Sequence, residues 1–245
     1  MIEIALCLAI IGVALVAIIG VLPLGMNTQR EVREETIINQ DATVLLEAIR
    51  SGARGADYLT NYVYQIANFW GQYDASGTKI DSGSNVFNFA GSTFYNSNWP
   101  LNQSSLPLFN GANIIGLLSV PEFMDANGRA LANLANGGYS NHIIAYVRSI
   151  SGLAVEKPPQ DNGIMVGGTF AYQMYCVNAA TANSSPGFAN NNMHELRLTF
   201  LWPQLPNGKL PANPRRQTFR ASIAGQLAAD PVNTNLYFYQ PQSFR

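Results

Sequence analysis

Residues 4–26 read IALCLAIIGVALVAIIGVLPLGM, and this run decides how the rest of the chain is read. Its 23 residues carry no charge, long enough as a helix to span a bilayer. A cleaved secretory signal fits it poorly: no basic segment stands ahead of it, the apolar run is too long, and no small-x-small site follows. A signal anchor fits better, yet its usual cytoplasmic Lys or Arg flank is missing. Residues 1–29 hold one charge, Glu3. At the edge of an apolar helix a carboxylate costs little, because it reaches the interface and favours the helix dipole. Drawn into an apolar core it is costly unless paired.

Outward from this run, residues 30–54 hold nine charges: Arg30, Glu31, Arg33, Glu34, Glu35, Asp41, Glu47, Arg50 and Arg54. The spacing predicts that residues 27–50 continue the helix. Ile38, Ala42, Leu45 and Ile49 form an i, i+4, i+7, i+11 stripe, widened by Ile37, Val44 and Ala48, which marks one buried face. Unbroken, such a helix of about 50 residues reaches roughly 75 Å. Gly52 and Gly55 supply a stop. Residues 56–70 read as a second helix, with Leu59, Val63, Ile66 and Trp70 on one face. Gly71 and the DASGTKIDSGSN stretch then end the helical half.

Beyond about residue 85 the pattern turns to strands. Candidates are 86–89, 114–119, 142–150, 168–178, 194–202, 216–224 and 235–240. In 194–202 Leu196, Leu198, Phe200 and Trp202 alternate with Arg197, Thr199 and Leu201, the period of a half-buried strand. Prolines at 203, 206, 211 and 214 make the next link a loop, and Arg129 to Asn136 reads as a short helix. The expected fold is α+β: a long N-terminal helix laid on a mainly antiparallel sheet. The expected segments are 1–26, an apolar helix; 27–55, its amphipathic continuation; and 56–245, a globular α+β head.

Only 12% of the chain is charged and the net charge is about −1, which excludes a polybasic nucleic-acid or membrane binder. Cys7 and Cys176 lie in segments too different to meet within one chain, so no disulfide framework or metal cluster is implied. No metalloprotease, serine-hydrolase, phosphate-loop or dinucleotide motif occurs. His194 beside Glu195 reads as a surface pair, and Cys176 as a buried thiol. The loops at Asp74–Gly77, Asp81–Asn85 and Asp125–Gly128 offer oxygen ligands for calcium but too few carboxylates for a good site, and match ordinary turn chemistry. No cofactor is expected, calcium being the low-ranked exception. Phe94, Tyr95, Trp99 and Tyr237-Phe238-Tyr239 are aromatics open to an adhesive, core or subunit-contact role. Asn102 and Asn183 head weak glycosylation triplets.

Met1-Ile2-Glu3-Ile4, the run Ala9-Ile10-Ile11-Gly12 and Pro23 together resemble the type IV pilin and type II secretion pseudopilin family, over roughly the first 55 residues. Two features depart from the family pattern. Its glutamate stands two residues further from the processed terminus than Glu3 does from Met1, and Pro23 stands three residues further from the glutamate than usual. The resemblance implies a non-enzymatic subunit that is held in the inner membrane and then built into a surface filament of identical chains by an assembly machinery. Glu3 would neutralise the terminal amine at Met1 of a neighbouring copy. Ile4, Leu8, Ile11, Leu15, Ile18 and Leu22 would pack in the filament core, and Gly12, Gly20, Pro23 and Gly25 would mark where the helix melts on packing. No nucleic-acid partner is implied. Two other classes remain open: a membrane-anchored binding module that never polymerises, and a tethered extracellular hydrolase.

Overall fold

The structure, a computed structural model, describes residues 2–52, 56–89, 106–108, 110–151, 170–181, 193–205 and 207–240. Its first element is α1, Ile2–Ser51, helical without a break. The chain divides into two compact units, Met1–Asn39 and Gln40–Arg245. The first is helix alone. The expected stripe is buried as a continuous face: Ile38, Ala42, Leu45 and Ile49 are fully buried, Ile37 and Ala48 nearly so. α1 stops at Gly52, whose φ of 56° lies in the left-handed region that glycine enters at no steric cost. A side chain there would also press its Cβ to 2.7 Å from the Tyr239 carbonyl oxygen.

The second unit is built on a sheet of eight strands among the described residues. These are β1 (Val63–Tyr73), β2 (Lys79–Phe89), β3 (Leu106–Leu108), β4 (Phe123–Met124), β5 (Gly138–Arg148), β6 (Ala171–Ala180), β7 (Met193–Trp202) and β8 (Arg215–Ala224). Their order is β3-β2-β1-β5-β6-β7-β8, with β4 pairing β5 beside this path. Every pairing is antiparallel except β2 with β3. The expected combination of an N-terminal apolar helix and a mainly antiparallel sheet is therefore present. β9 (Gln226–Ala229) and β10 (Tyr237–Gln240) form a separate antiparallel pair.

Along β6 and β7 the core lies on one face of the sheet, while Ala67, Val86 and Tyr146 form a second buried cluster on the opposite face. Along β6 Tyr172, Met174, Cys176, Asn178 and Ala180 are buried, and along β7 His194, Leu196, Leu198, Phe200 and Trp202. The register sets Met174 against Phe200 and Cys176 against Leu198, so the buried sets of neighbouring strands coincide. Phe200 meets the Tyr172 ring at 5.2 Å and the Phe219 ring edge-on at 5.5 Å. The 194–202 alternation is borne out residue by residue.

Three sequence expectations fail. Residues 56–70 hold a 3-10 turn, Asp57–Asn61, followed by β1, not a helix. β1 lies inside the sheet, Val63, Gln65, Ile66 and Ala67 are all buried, and the register shifts between Val63 and Gln65. Burial on both faces plus one bulge leaves apolar residues at helix-like separations. Strand structure therefore begins at residue 63, and β2 extends back to Lys79 rather than starting at 86. Residues 114–119 are not a strand. They lie mostly in helix α2, Gly111–Leu118, whose first turn is capped by the Asn110 side chain accepting from the Asn113 N–H at 2.9 Å. Ile114, Ile115, Leu117 and Leu118 are all buried, which removes any one-faced periodicity. Arg129 to Asn136 is not helical either. The Asp125 carboxylate accepts from the Asn127 and Arg129 N–H groups at 2.8 Å, and Leu131 N–H bonds the Phe123 carbonyl, so the chain turns back on itself.

Candidate assembly surface

Among the described residues, the apolar start of α1 is exposed. The span Ile2–Gly20 is long and apolar enough to cross a membrane, and none of it is buried. Ile4, Leu8, Ile11, Leu15 and Ile18 are 66, 64, 54, 53 and 56% exposed. Their spacing of four, three, four and three residues holds them along one stripe of the helix. Ile2, Leu6, Ile10, Val13, Val16 and Ile19 are as bare, so the helix is apolar all round. A helix of that kind belongs in lipid or among other helices, not in water. The helix runs unbroken through Gly12, Gly20, Pro23 and Gly25. At the three glycines no atom other than those of the adjoining helix backbone lies within 4 Å of where a Cβ would stand. Backbones of neighbouring helices approach most closely at such positions. Glu3 is exposed in the first turn, where the dipole favours a carboxylate. Met1 and the side chains of Leu22 and Pro23 lie outside the described residues. Past the apolar span the surface becomes polar, and Arg30 Nε donates to Glu34 Oε1 at 3.0 Å, one turn on.

The chain matches no family model, no curated protein and no solved structure.

In the second unit Asp41 is a charge engaged on both carboxylate oxygens. It is fully buried in the helix stripe. Its Oδ2 accepts from the Ile150 N–H at 2.9 Å and the Tyr172 hydroxyl at 3.0 Å, and its Oδ1 from the Ser151 N–H at 2.8 Å and the Ser151 hydroxyl. Burial pushes the carboxyl above its ordinary value, and these four donors pull it part of the way back. The carboxylate fastens the helix to the 150–151 backbone and to β6. Sequence reading places Asp41 among the nine charges of residues 30–54 and assigns it no role. The signal was available: residue 41 lies three past Ile38 and four before Leu45, inside the stripe, where a carboxylate must find donors.

Other expected features fall differently. His194 is not a surface residue: it is fully buried, edge-on to the Tyr239 ring at 5.5 Å. It faces the core because the alternation of Leu196, Leu198 and Phe200 includes it, while Glu195 points the other way to Arg197 and Arg220, each at 3.7 Å. Tyr237, Phe238 and Tyr239 are buried and so form core, not an adhesive patch. The Tyr239 hydroxyl donates to Asn178 Oδ1 at 2.7 Å, and Asn178 Nδ2 donates to the Ser119 carbonyl. Replacing Tyr239 with Phe is expected to cost about 1–2 kcal/mol in a urea melt, the worth of one buried bond whose partner is left waiting. Cys176 is the buried thiol anticipated. It donates to the Leu118 carbonyl, and burial pushes it well above the thiol range, so it is no nucleophile. Asp74 takes the Ser76 and Thr78 N–H groups and the Ser76 hydroxyl, a turn motif with the carboxylate already engaged. Among the described residues no three His, Cys, Asp or Glu gather around a metal-sized space. Phe94, Tyr95, Trp99, Asn102 and Asn183 lie outside the described residues.

Proposed function

We propose that the chain is a structural, non-enzymatic subunit of a type IV pilus-like or pseudopilus filament, held in the inner membrane by residues 2–20 and polymerised through the same helix. The observation that carries this reading is the bare apolar span at the start of a helix whose last turns are buried in the second unit. An uncovered apolar helix has two stable environments, lipid and a bundle of like helices, and a filament subunit uses them in turn. Glu3 supplies the register: within an apolar bundle only the axial offset that brings a carboxylate to a neighbour's terminal amine avoids a buried unpaired charge.

The test is replacement of Glu3 by alanine, read by electron microscopy of material sheared from cells. Filaments are expected to fall by at least roughly tenfold, because an unpaired buried ammonium costs several kcal/mol per interface, while the chain stays at wild-type level in the membrane fraction. Undiminished filaments, or a wild-type chain that stays in the membrane as a monomer, would leave an anchored binding module as the better account.

A further inference from the structure

Charge in the second unit is sorted along its strands. Residues 196–229 hold Arg197, Lys209, Arg215, Arg216 and Arg220 and no Asp or Glu, in a chain whose net charge is −1. These five lie on or between β7 and β8, the last two strands of the sheet. Trp202 pairs with Arg215, so the connection between the two strands, with Lys209, Arg215 and Arg216, sits at one end of the sheet. The opposite end is marked by the pairs Tyr73 with Gly138, Ala180 with His194, and His194 with Ile223. Strands of this length set the two ends roughly 30 Å apart. At the opposite end stand Asp74, Asp81, Glu122, Asp125, Glu195 and Asp230, against Lys79 and Arg129.

Neither end is balanced where it stands. Lys209 and Arg216 are exposed, and among the described residues no carboxylate forms an ion pair with either. Asp57, at the same end, turns its carboxylate to the Gly111 N–H at 2.9 Å. Arg197 and Arg220 face each other part-way along the strands and share Glu195, 3.7 Å from each, so they are matched locally. At the acidic end Asp74, Asp81 and Asp125 accept backbone N–H bonds but have no cation partner among the described residues. One exposed ion pair contributes little. A whole end of one sign against a whole end of the other sets orientation and register, because like ends repel. Two copies displaced along the strands bring unlike ends together; two copies turned end for end bring like ends together. A head-to-tail contact of the first kind need not close on itself and can repeat along a polymer.

We propose that the end of the second unit carrying Lys209, Arg215 and Arg216 docks on the acidic end of a second copy of this chain, the one bearing Asp74, Asp81 and Asp125. This rests on the filament reading and adds to it a contact made outside the apolar helix. The test uses the full-length chain, with filaments sheared from cells and counted by electron microscopy. Lys209→Glu with Arg216→Glu reverses the basic end, and Asp81→Lys with Ala126→Lys reverses the acidic end; all four positions are exposed. Each pair alone is expected to lower the number of filaments at least roughly fivefold, with the chain at wild-type level in the membrane fraction and its urea melt unchanged. The chain carrying all four substitutions is expected to regain most of the wild-type number, a recovery that a purely structural role for these side chains does not give. Filaments undiminished by either pair, or losses that persist in the fourfold variant, overturn the docking and leave the filament reading to the Glu3→Ala result. A wild-type chain that makes no filaments overturns both.

Discussion

Replacing Asp41 by alanine is expected to lower the stability of the second unit by about 3–4 kcal/mol, measured as urea unfolding of the full-length chain in detergent. The change strands four donors at once: the Ile150 and Ser151 N–H groups and the Ser151 and Tyr172 hydroxyls. The two hydroxyls can turn to other acceptors, but the backbone groups cannot. Asp41→Asn keeps the shape and is expected to cost about 2 kcal/mol, because either amide orientation sets an NH2 group against one backbone N–H. The carboxyl also gives this site a pH dependence of definite sign. Its value in the folded chain is raised above the ordinary 3.8 by burial. The folded state therefore holds the proton more tightly than the unfolded state, and stability from this group is fully present below 3.8 and is lost as pH rises through the raised value. The cost of Asp41→Asn is accordingly larger near the ordinary aspartate value than at neutral pH. An Asp41→Asn cost that does not change between those limits would show that the carboxyl titrates as if unburied.

Where one face of an element is buried and the other is not, the sequence displayed the structure. β7 is readable because Leu196, Leu198 and Phe200 alternate with Arg197 and Thr199, and the end of α1 because Ile38, Ala42, Leu45 and Ile49 repeat at helical spacing. Where both faces are buried the period disappears. β1 combines two-sided cover with a bulge, and α2 is apolar on every side, so each was assigned the other's type. The site residues divide in the same way. The bare apolar span is a composition signal and needs no tertiary information. The Asp41 clamp depends on partners 109 or more positions away, Ile150, Ser151 and Tyr172. His194 illustrates the limit from the other side. Its neighbour Glu195 suggested an exposed pair, but strand parity outweighed polarity and turned the imidazole inward against Tyr239.

A chain lacking residues 2–26 is expected to be soluble and monomeric, absent from both membrane and filament, and to unfold within about 1 kcal/mol of the full-length protein. The two parts of this expectation rest on different physics. The apolar span contributes its whole surface to an environment outside the chain: none of Ile2–Gly20 is buried. At roughly 1.5–3 kcal/mol for each large apolar side chain removed from water, a span this long represents tens of kcal/mol of transfer free energy. Its loss should move the protein completely between fractions rather than shift an equilibrium slightly. The stability of the second unit, by contrast, draws on its own core. Tyr172, Phe200, Leu45, Ile49 and Ile115 are fully buried, and all lie within Gln40–Arg245. The cut also leaves the buried Ile37 and Ile38 in place. Size-exclusion chromatography and a urea melt of the truncated chain decide both points. A truncated chain that is soluble, folded and unable to assemble fits the filament reading and equally an anchor, which the Glu3→Ala experiment then separates. A truncated chain that aggregates or melts several kcal/mol early would mean that the apolar span belongs to a fold of its own chain, and both the anchor and the filament would have to be abandoned.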